Sequence, residues 1–113
     1  MELRTDVVGD VTIVKFMDDH LDASTFDEFK AVSGPMLEKS LKVVFDMTSL
    51  NFVDSSGIVA IISCLRNLNA RGGDLKLCCV TMTVRHLFDL MRRNKVFEIF
   101  PNVAKAAASF SRQ

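Results

Sequence analysis

The sequence predicts an α/β fold in one domain spanning residues 1–113, with a mixed, mostly parallel sheet of four to five strands that opens with a β-hairpin, and about four helices. Three observations carry this expectation. Two β-prone runs at the amino end are separated only by Gly9-Asp10, a pair suited to a tight hairpin because glycine reaches positive φ without a steric penalty. After that hairpin, helical and strand patterns alternate, and a crossover that contains a helix makes neighbouring strands parallel. The chain has 113 residues, 49% of them apolar and 25% charged, the balance of one compact domain able to bury roughly two thirds of its unfolded surface.

Each element has its own signature. Residues 3–8 and 11–16 form the hairpin. Asp22 and Ser24 are candidate N-caps for a helix carrying Phe26, Phe29 and Ala31. Pro35, which follows Gly34, lacks an amide hydrogen and predicts a kink or a break before a short continuation at Met36-Leu37. Residues 41–46 read as a buried β-branched strand. Ile58, Ile61, Ile62, Leu65 and Leu68 recur at three- and four-residue spacing, one stripe of a helix that ends at Arg71-Gly72-Gly73. Residues 75–80 give another strand. Val84, Leu87, Phe88 and Met91 mark a third helix, with Arg92 and Arg93 complementing its carboxyl end. A short strand over 96–100 and an Ala-rich helix over 103–110 complete the chain. Helices are expected on both faces of the sheet.

Composition excludes several classes of function. Lys+Arg and Asp+Glu both number 14, so the basic footprint of a protein that grips nucleic acid by its phosphates is missing. The longest apolar run, 58–62, is too short to cross a bilayer, so no membrane insertion is expected. The amino end has no apolar stretch of the kind found in secretion signals, and the expected location is cytoplasmic. The 3 cysteines, Cys64, Cys78 and Cys79, have no CxxC spacing. Within a strand, adjacent cysteines point to opposite faces, which is wrong for two ligands of one metal. His20 and His86 belong to no metal-binding pattern. Neither a metal nor another cofactor is expected, and the cysteines read as reduced core thiols. Met36 and Met47 read as gap fillers ahead of partner contacts.

The segment with chemical content is residues 46–57, between a strand and the Ile58 helix, at the carboxyl edge of a parallel sheet where α/β folds place their working surface. Asp54, Ser55 and Ser56 all suit a helix N-cap, and Gly57 suits close packing. One serine is enough for a cap, so a second hydroxyl is free to face solvent at a helix start. A phosphate there adds about −1.5 to −2 charges. The helix terminus favours that charge by roughly 0.3–2 kcal/mol, Asp54 opposes it through water, and the domain stays folded. Inserted into an interface against like charge, the same group costs several kcal/mol, so it switches association instead of fold.

Val43-Val44-Phe45-Asp46, then Leu50-Asn51-Phe52-Val53-Asp54-Ser55-Ser56-Gly57, then the Ile58 helix and the stretch from Arg71-Gly72-Gly73 to Leu77 resemble the STAS domain, and more narrowly the bacterial anti-sigma-factor antagonists. The likeness covers nearly the whole chain. It implies a regulatory binding module, not an enzyme, that sequesters an anti-sigma factor of the histidine-kinase-like ATPase class and so controls transcription by partner switching. The same resemblance implies that this partner, using ATP and magnesium, phosphorylates the first serine of the motif, Ser55, and that a separate serine phosphatase reverses the change. The implied partner-binding set is Asp22, Asp54, Ser55, Ser56 and Gly57. Asp22 enters because Asp19-His20-Leu21-Asp22 occupies the place of the family's Gly-Glu-Leu-Asp-like stretch. The departure at Asp19-His20 leaves the serine motif intact.

Three rivals remain in view. Within the fold, a STAS subunit of a transporter or signalling complex needs no serine modification. A phosphoryl-accepting receiver-like domain has an acidic pocket, for which Asp18-Asp19 and Asp46 are the candidates, but no lysine follows the last strand within 96–101. A serine hydrolase needs a base and an orienting acid, yet Ser55 lacks the Gly-x-Ser-x-Gly elbow and His86 reads as partly exposed on a helix.

Overall fold

The computed structural model describes residues 1–92 and 96–112, with the Arg112 side chain left aside. Strands β1 (Leu3–Val8) and β2 (Val11–Phe16) form the expected antiparallel hairpin, with Gly9 at φ +64° in its turn. Parallel strands β4 (Lys42–Asp46), β6 (Asp74–Cys78) and β7 (Ile99–Phe100) extend it into a five-stranded sheet of order β1-β2-β4-β6-β7. The α/β expectation therefore holds, with four helices: α1 (Phe26–Glu38), α2 (Ser55–Ala70), α3 (Met82–Leu90) and α4 (Val103–Ser109), the last continued by a single 3-10 turn (Phe110–Arg112).

Side-chain alternation along the strands divides the interior in two. Val14, Phe16, Val43, Phe45, Leu75 and Leu77 face α1, α2 and α3, and the apolar stripe of α2 (Ile58, Ile61, Ile62, Leu65, Leu68) packs onto them. Phe16 stacks on Phe29 at 5.6 Å and meets the edge of Phe45 at 5.2 Å, which joins β2, α1 and β4 at one point. The other face carries Val11, Ile13, Val44 and Cys78, covered by Ala106, Ala107 and Phe110. Lys76 lies in that second layer. Its ammonium donates to Ser109 Oγ at 2.8 Å, sits 3.7 Å from Glu98 Oε1 and stands 4.4 Å from the Phe110 ring, so a buried cation is satisfied on several sides at once. Both faces are covered, one by three helices and the other by one.

Several local expectations are corrected. α1 runs through Pro35 without a break, because the residue before it is Gly34, which has no Cβ to collide with the proline ring. Neither Asp22 nor Ser24 caps α1; the helix begins one turn later, after Thr25. The last strand shrinks to Ile99–Phe100, since Phe97 leaves the ladder to pack edge-on against Phe88 at 5.9 Å. Arg92 has φ 57° and lies beyond the end of α3; Arg93 is outside the described residues. Two further strands, β3 (His20–Leu21) and β5 (Phe52–Val53), pair in parallel as a separate ribbon, each too short to leave a periodic signal.

Truncating Phe45, in van der Waals contact with both helical and strand neighbours, removes the hub of the larger layer. Phe45→Ala is expected to lower the unfolding free energy by about 3–5 kcal/mol, measured as a lower urea midpoint with an unchanged slope.

Candidate functional site

The loop that leaves β4 is tied down before it reaches α2. Met47 N donates to Cys78 O, Thr81 Oγ1 donates to Leu50 O, and Asn51 N and Phe52 N both donate to Asp19 O. Met47 and Leu50 are fully buried, so Met47 fills the core, as the gap-filling reading has it. The β3–β5 ribbon then delivers Asp54 beside Leu21, to whose carbonyl it donates.

Asp54 is the N-cap of α2: its Oδ1 accepts from Gly57 N at 2.9 Å, and its Oδ2 accepts from Ala23 N at 3.1 Å. One carboxylate thus closes the helix start and holds the 22–25 turn against it. With the cap supplied by Asp54, Ser55 and Ser56 occupy the first two helical positions. Among the described residues neither hydroxyl makes a hydrogen bond, and Ser55 is exposed while Ser56 is half-buried.

Asp22 has a local task. Its Oδ1 accepts from the amide and hydroxyl of Ser24, and that hydroxyl holds the Asp22 carboxyl below its ordinary range. Gly57 is where backbone meets backbone: a Cβ there meets Leu21 O at 2.3 Å and Val53 Cγ1 at 2.7 Å. Of the five expected residues, Ser55 and Ser56 line a shallow depression of about 330 Å³ together with Ala23, Phe26, Asp27 and Val59, while Asp54 joins the Ala23 and Gly57 amides beside it and Asp22 sits in the adjoining turn. Among those lining residues none is a cation.

Sequence reasoning missed the exposed apolar residues in and near this segment, of which Val59 lines the depression. Phe52 and Val59 are 53% and 51% exposed, and Met82, beside the loop through the Thr81–Leu50 bond, is 83% exposed. Val59 carried a signal, because it is apolar yet falls off the core-facing stripe of α2. Phe52 carried another, since its strand neighbour Val53 is buried and adjacent strand residues face opposite ways.

The rival sites do not assemble. Asp46 comes together with Cys78 and Cys79, and among the described residues no group of potential metal ligands joins it to Asp18 or Asp19. His86 is exposed on α3 and makes no hydrogen bond to Ser55.

The fold displays an N-capped serine pair at the carboxyl edge of a hairpin-led, mostly parallel sheet. The STAS domain family model matches residues 2–106, and the chain belongs to that family. It is 31% identical over 64 residues to the anti-sigma F factor antagonist of Paenibacillus polymyxa, a match spanning 57% of this chain and 55% of that relative. Its fold is similar to an anti-sigma-factor antagonist (STAS) domain protein from Planctomyces limnophilus (TM-score 0.87, 16% identity, 96% of this chain and 97% of that one). It is similar also to the Bacillus cell fate determinant SpoIIAA in its phosphorylated form (TM-score 0.72, 17% identity, 96% and 99% covered). The murine Solute Carrier 26 family member A9 anion transporter contains the fold too (TM-score 0.73, 19% identity), with 96% of this chain matching 19% of the transporter. No helix among the described residues is long and apolar enough to cross a membrane.

Two measurements probe the site's construction. Gly57→Ala forces Leu21 and Val53 apart and is expected to destabilise the domain by about 1–3 kcal/mol, read by thermal denaturation. His20, whose ring Nδ1 bonds Asp19 Oδ1, has its pKa raised by that bond. Its contribution to stability is present in full below the ordinary imidazole value near 6.5 and is lost as pH rises through the folded value. An NMR titration of His20 is expected to show that upward shift, and Asp19→Asn to reduce it, since Asp22 and Asp18 still favour the charged ring.

Proposed function

We propose that this STAS domain is an anti-sigma-factor antagonist whose docking surface centres on Ser55 and which phosphorylation of Ser55 switches off. The observation that carries this reading is the free, exposed Ser55 hydroxyl at the first turn of α2, with Asp54 already serving as the cap. The partner is an anti-sigma factor of the histidine-kinase-like ATPase class. It positions Ser55 Oγ for attack on the γ-phosphorus of Mg-ATP, ADP leaves, and the hydroxyl proton passes to a base on the kinase. A serine phosphatase hydrolyses the ester and restores the docking form.

The surroundings of Ser55 account for the direction of the switch. Val59 and Phe26 offer apolar contact area, Asp54 and Asp27 are the nearby carboxylates, and the Lys30 ammonium stands 5.3 Å from the Phe26 ring. A dianion at Ser55 is well hydrated in the free protein. Buried in a complex, it sits among apolar groups and carboxylates, and Gly57 N is already taken by Asp54. That desolvation and like-charge repulsion cost several kcal/mol in the complex alone, and about 4 kcal/mol is nearly a thousandfold in affinity. Asp54, Ser56 and Gly57 shape the docking loop, and Asp22 contributes an edge contact from the adjoining turn. The relative named for antagonism of an anti-sigma F factor and the phosphorylated SpoIIAA structure support the reading.

The likeness to the anion transporter supports a second reading, a STAS subunit of a larger assembly in which Ser55 is never modified.

Incubation with Mg-ATP and ATPase-class anti-sigma factors of the same genome, followed by intact-mass and peptide mapping, separates the two. One phosphate on Ser55 is expected, absent from Ser55→Ala. Ser55→Asp is expected to keep its circular dichroism and melting temperature while losing about a thousandfold in affinity, and Ser55→Ala to bind constitutively. Wild-type affinity in Ser55→Asp sinks the switch.

A further inference from the structure

Behind the loop that carries Ser55, on the face of the sheet covered by α4, a second group of reactive side chains comes together. Asp46 and Cys78 are Cα partners in the parallel ladder of β4 and β6, so their side chains leave the sheet on the same side. Cys79 does not continue the alternation. Its φ is 61°, the left-handed region that few residues other than glycine adopt. That turn of the backbone ends β6 and brings Cys79 Sγ back to 3.5 Å from Cys78 Sγ. The expectation that adjacent cysteines point apart fails here for this one conformational reason. A carboxylate oxygen and two sulfurs lie within 4.8 Å of one another.

We propose that Asp46, Cys78 and Cys79 form a binding site for a thiophilic divalent cation of the zinc class. Two sulfurs on one tetrahedral zinc, each at about 2.3 Å, stand about 3.8 Å apart, close to the 3.5 Å observed. The carboxylate is already oriented: Asp46 Oδ1 accepts from both the amide and the hydroxyl of Thr48, which leaves Oδ2 for the ion, the arrangement by which an outer partner aims a ligand. Two thiolates select a borderline-soft ion over magnesium or calcium, which take oxygen ligands. Cys78 is buried and Cys79 half-buried, so the ion enters from the Cys79 side. Three protein ligands leave the fourth position to water or to a group from outside. Lys15, the register neighbour of Asp46 on β2, is exposed, and Lys76 on the same face is engaged by Ser109 and Glu98. Binding exchanges the two thiol protons, released to solvent, for the cation.

The test uses the full chain with all three thiols reduced and cobalt(II) as a spectroscopic probe, followed by zinc displacement. The expected result is one cobalt per chain, with a near-ultraviolet sulfur-to-cobalt charge-transfer band and the visible bands of tetrahedral coordination, all abolished by zinc. Cys79→Ser is expected to weaken binding by more than about 100-fold, beyond the 10–100-fold that follows loss of an outer-shell partner. Thr48→Val is expected to fall inside that smaller range. Asp46→Asn weakens binding while keeping the sulfur band. Cys64→Ala, in the opposite layer, leaves the spectrum unchanged, and circular dichroism confirms that each variant is folded. Absence of the charge-transfer band in the folded, reduced protein, an unchanged band intensity and cobalt affinity in Cys79→Ser, or loss of the band in Cys64→Ala overturns the proposal.

Discussion

The working end of this protein depends on how the two oxygens of the Asp54 carboxylate are used. One oxygen caps α2 through Gly57 N and the other holds the Ala23 amide. A helix start must satisfy its orphan amides with something, and whatever side chain does so is no longer free for other work. Because an aspartate fills the role from the preceding position, Ser55 and Ser56 are both released. The same carboxylate locks the 22–25 turn to α2, which brings Asp22, Phe26 and Asp27 to the edge of the serine site. Gly57 makes that approach possible, since Leu21 O occupies the space a side chain needs.

In the proposed switch, the packed layer beneath the site lets a charge at Ser55 act on association and leave the fold intact. Leu50, Val53, Ile58 and Ile61 are buried below the serines and continuous with the Phe16–Phe29–Phe45 cluster. Ser55 itself contributes no packing, so modifying it removes none. Val59, on the lining of the depression beside Ser55, is 51% exposed and gives that site an apolar wall. In the proposed function, the partner is recognised through shape and apolar contact, and one added anion at Ser55 vetoes docking.

The second layer of the molecule is organised around a different charged group. Lys76 stands where a strand pattern calls for an apolar residue, and α4 answers it with Ser109 Oγ and the Phe110 ring. Removing one partner of such a buried cation costs far more than the pair contributes, so α4 is held in register by chemistry as well as by its alanines. Asp46 and Cys78 lie in the same layer, at the carboxyl end of the ladder. Thr48, which orients Asp46, is two residues along the chain on the path to Ser55. The two faces of the sheet therefore share a root at the end of β4.

Patterns repeated over several residues were legible without coordinates. The hairpin around Gly9-Asp10, the stripe of α2, the central strands and the family resemblance of residues 43–57 all rest on periodicity or on a contiguous motif, and both are properties of the chain alone. What needed the tertiary structure was anything set by a single neighbour. Gly34 allowing Pro35 inside a helix, Phe97 leaving β7 for Phe88, and the two-residue strands at Leu21 and Val53 each depend on one contact that no repeat announces. The choice of Asp54 over Ser55 as the cap is of the same kind, since three adjacent residues had equal propensity and only the Ala23 amide broke the tie. The reversal at Cys79 is the clearest instance: alternation along a strand is a rule for extended backbone, and one left-handed residue, held by the fold, cancels it.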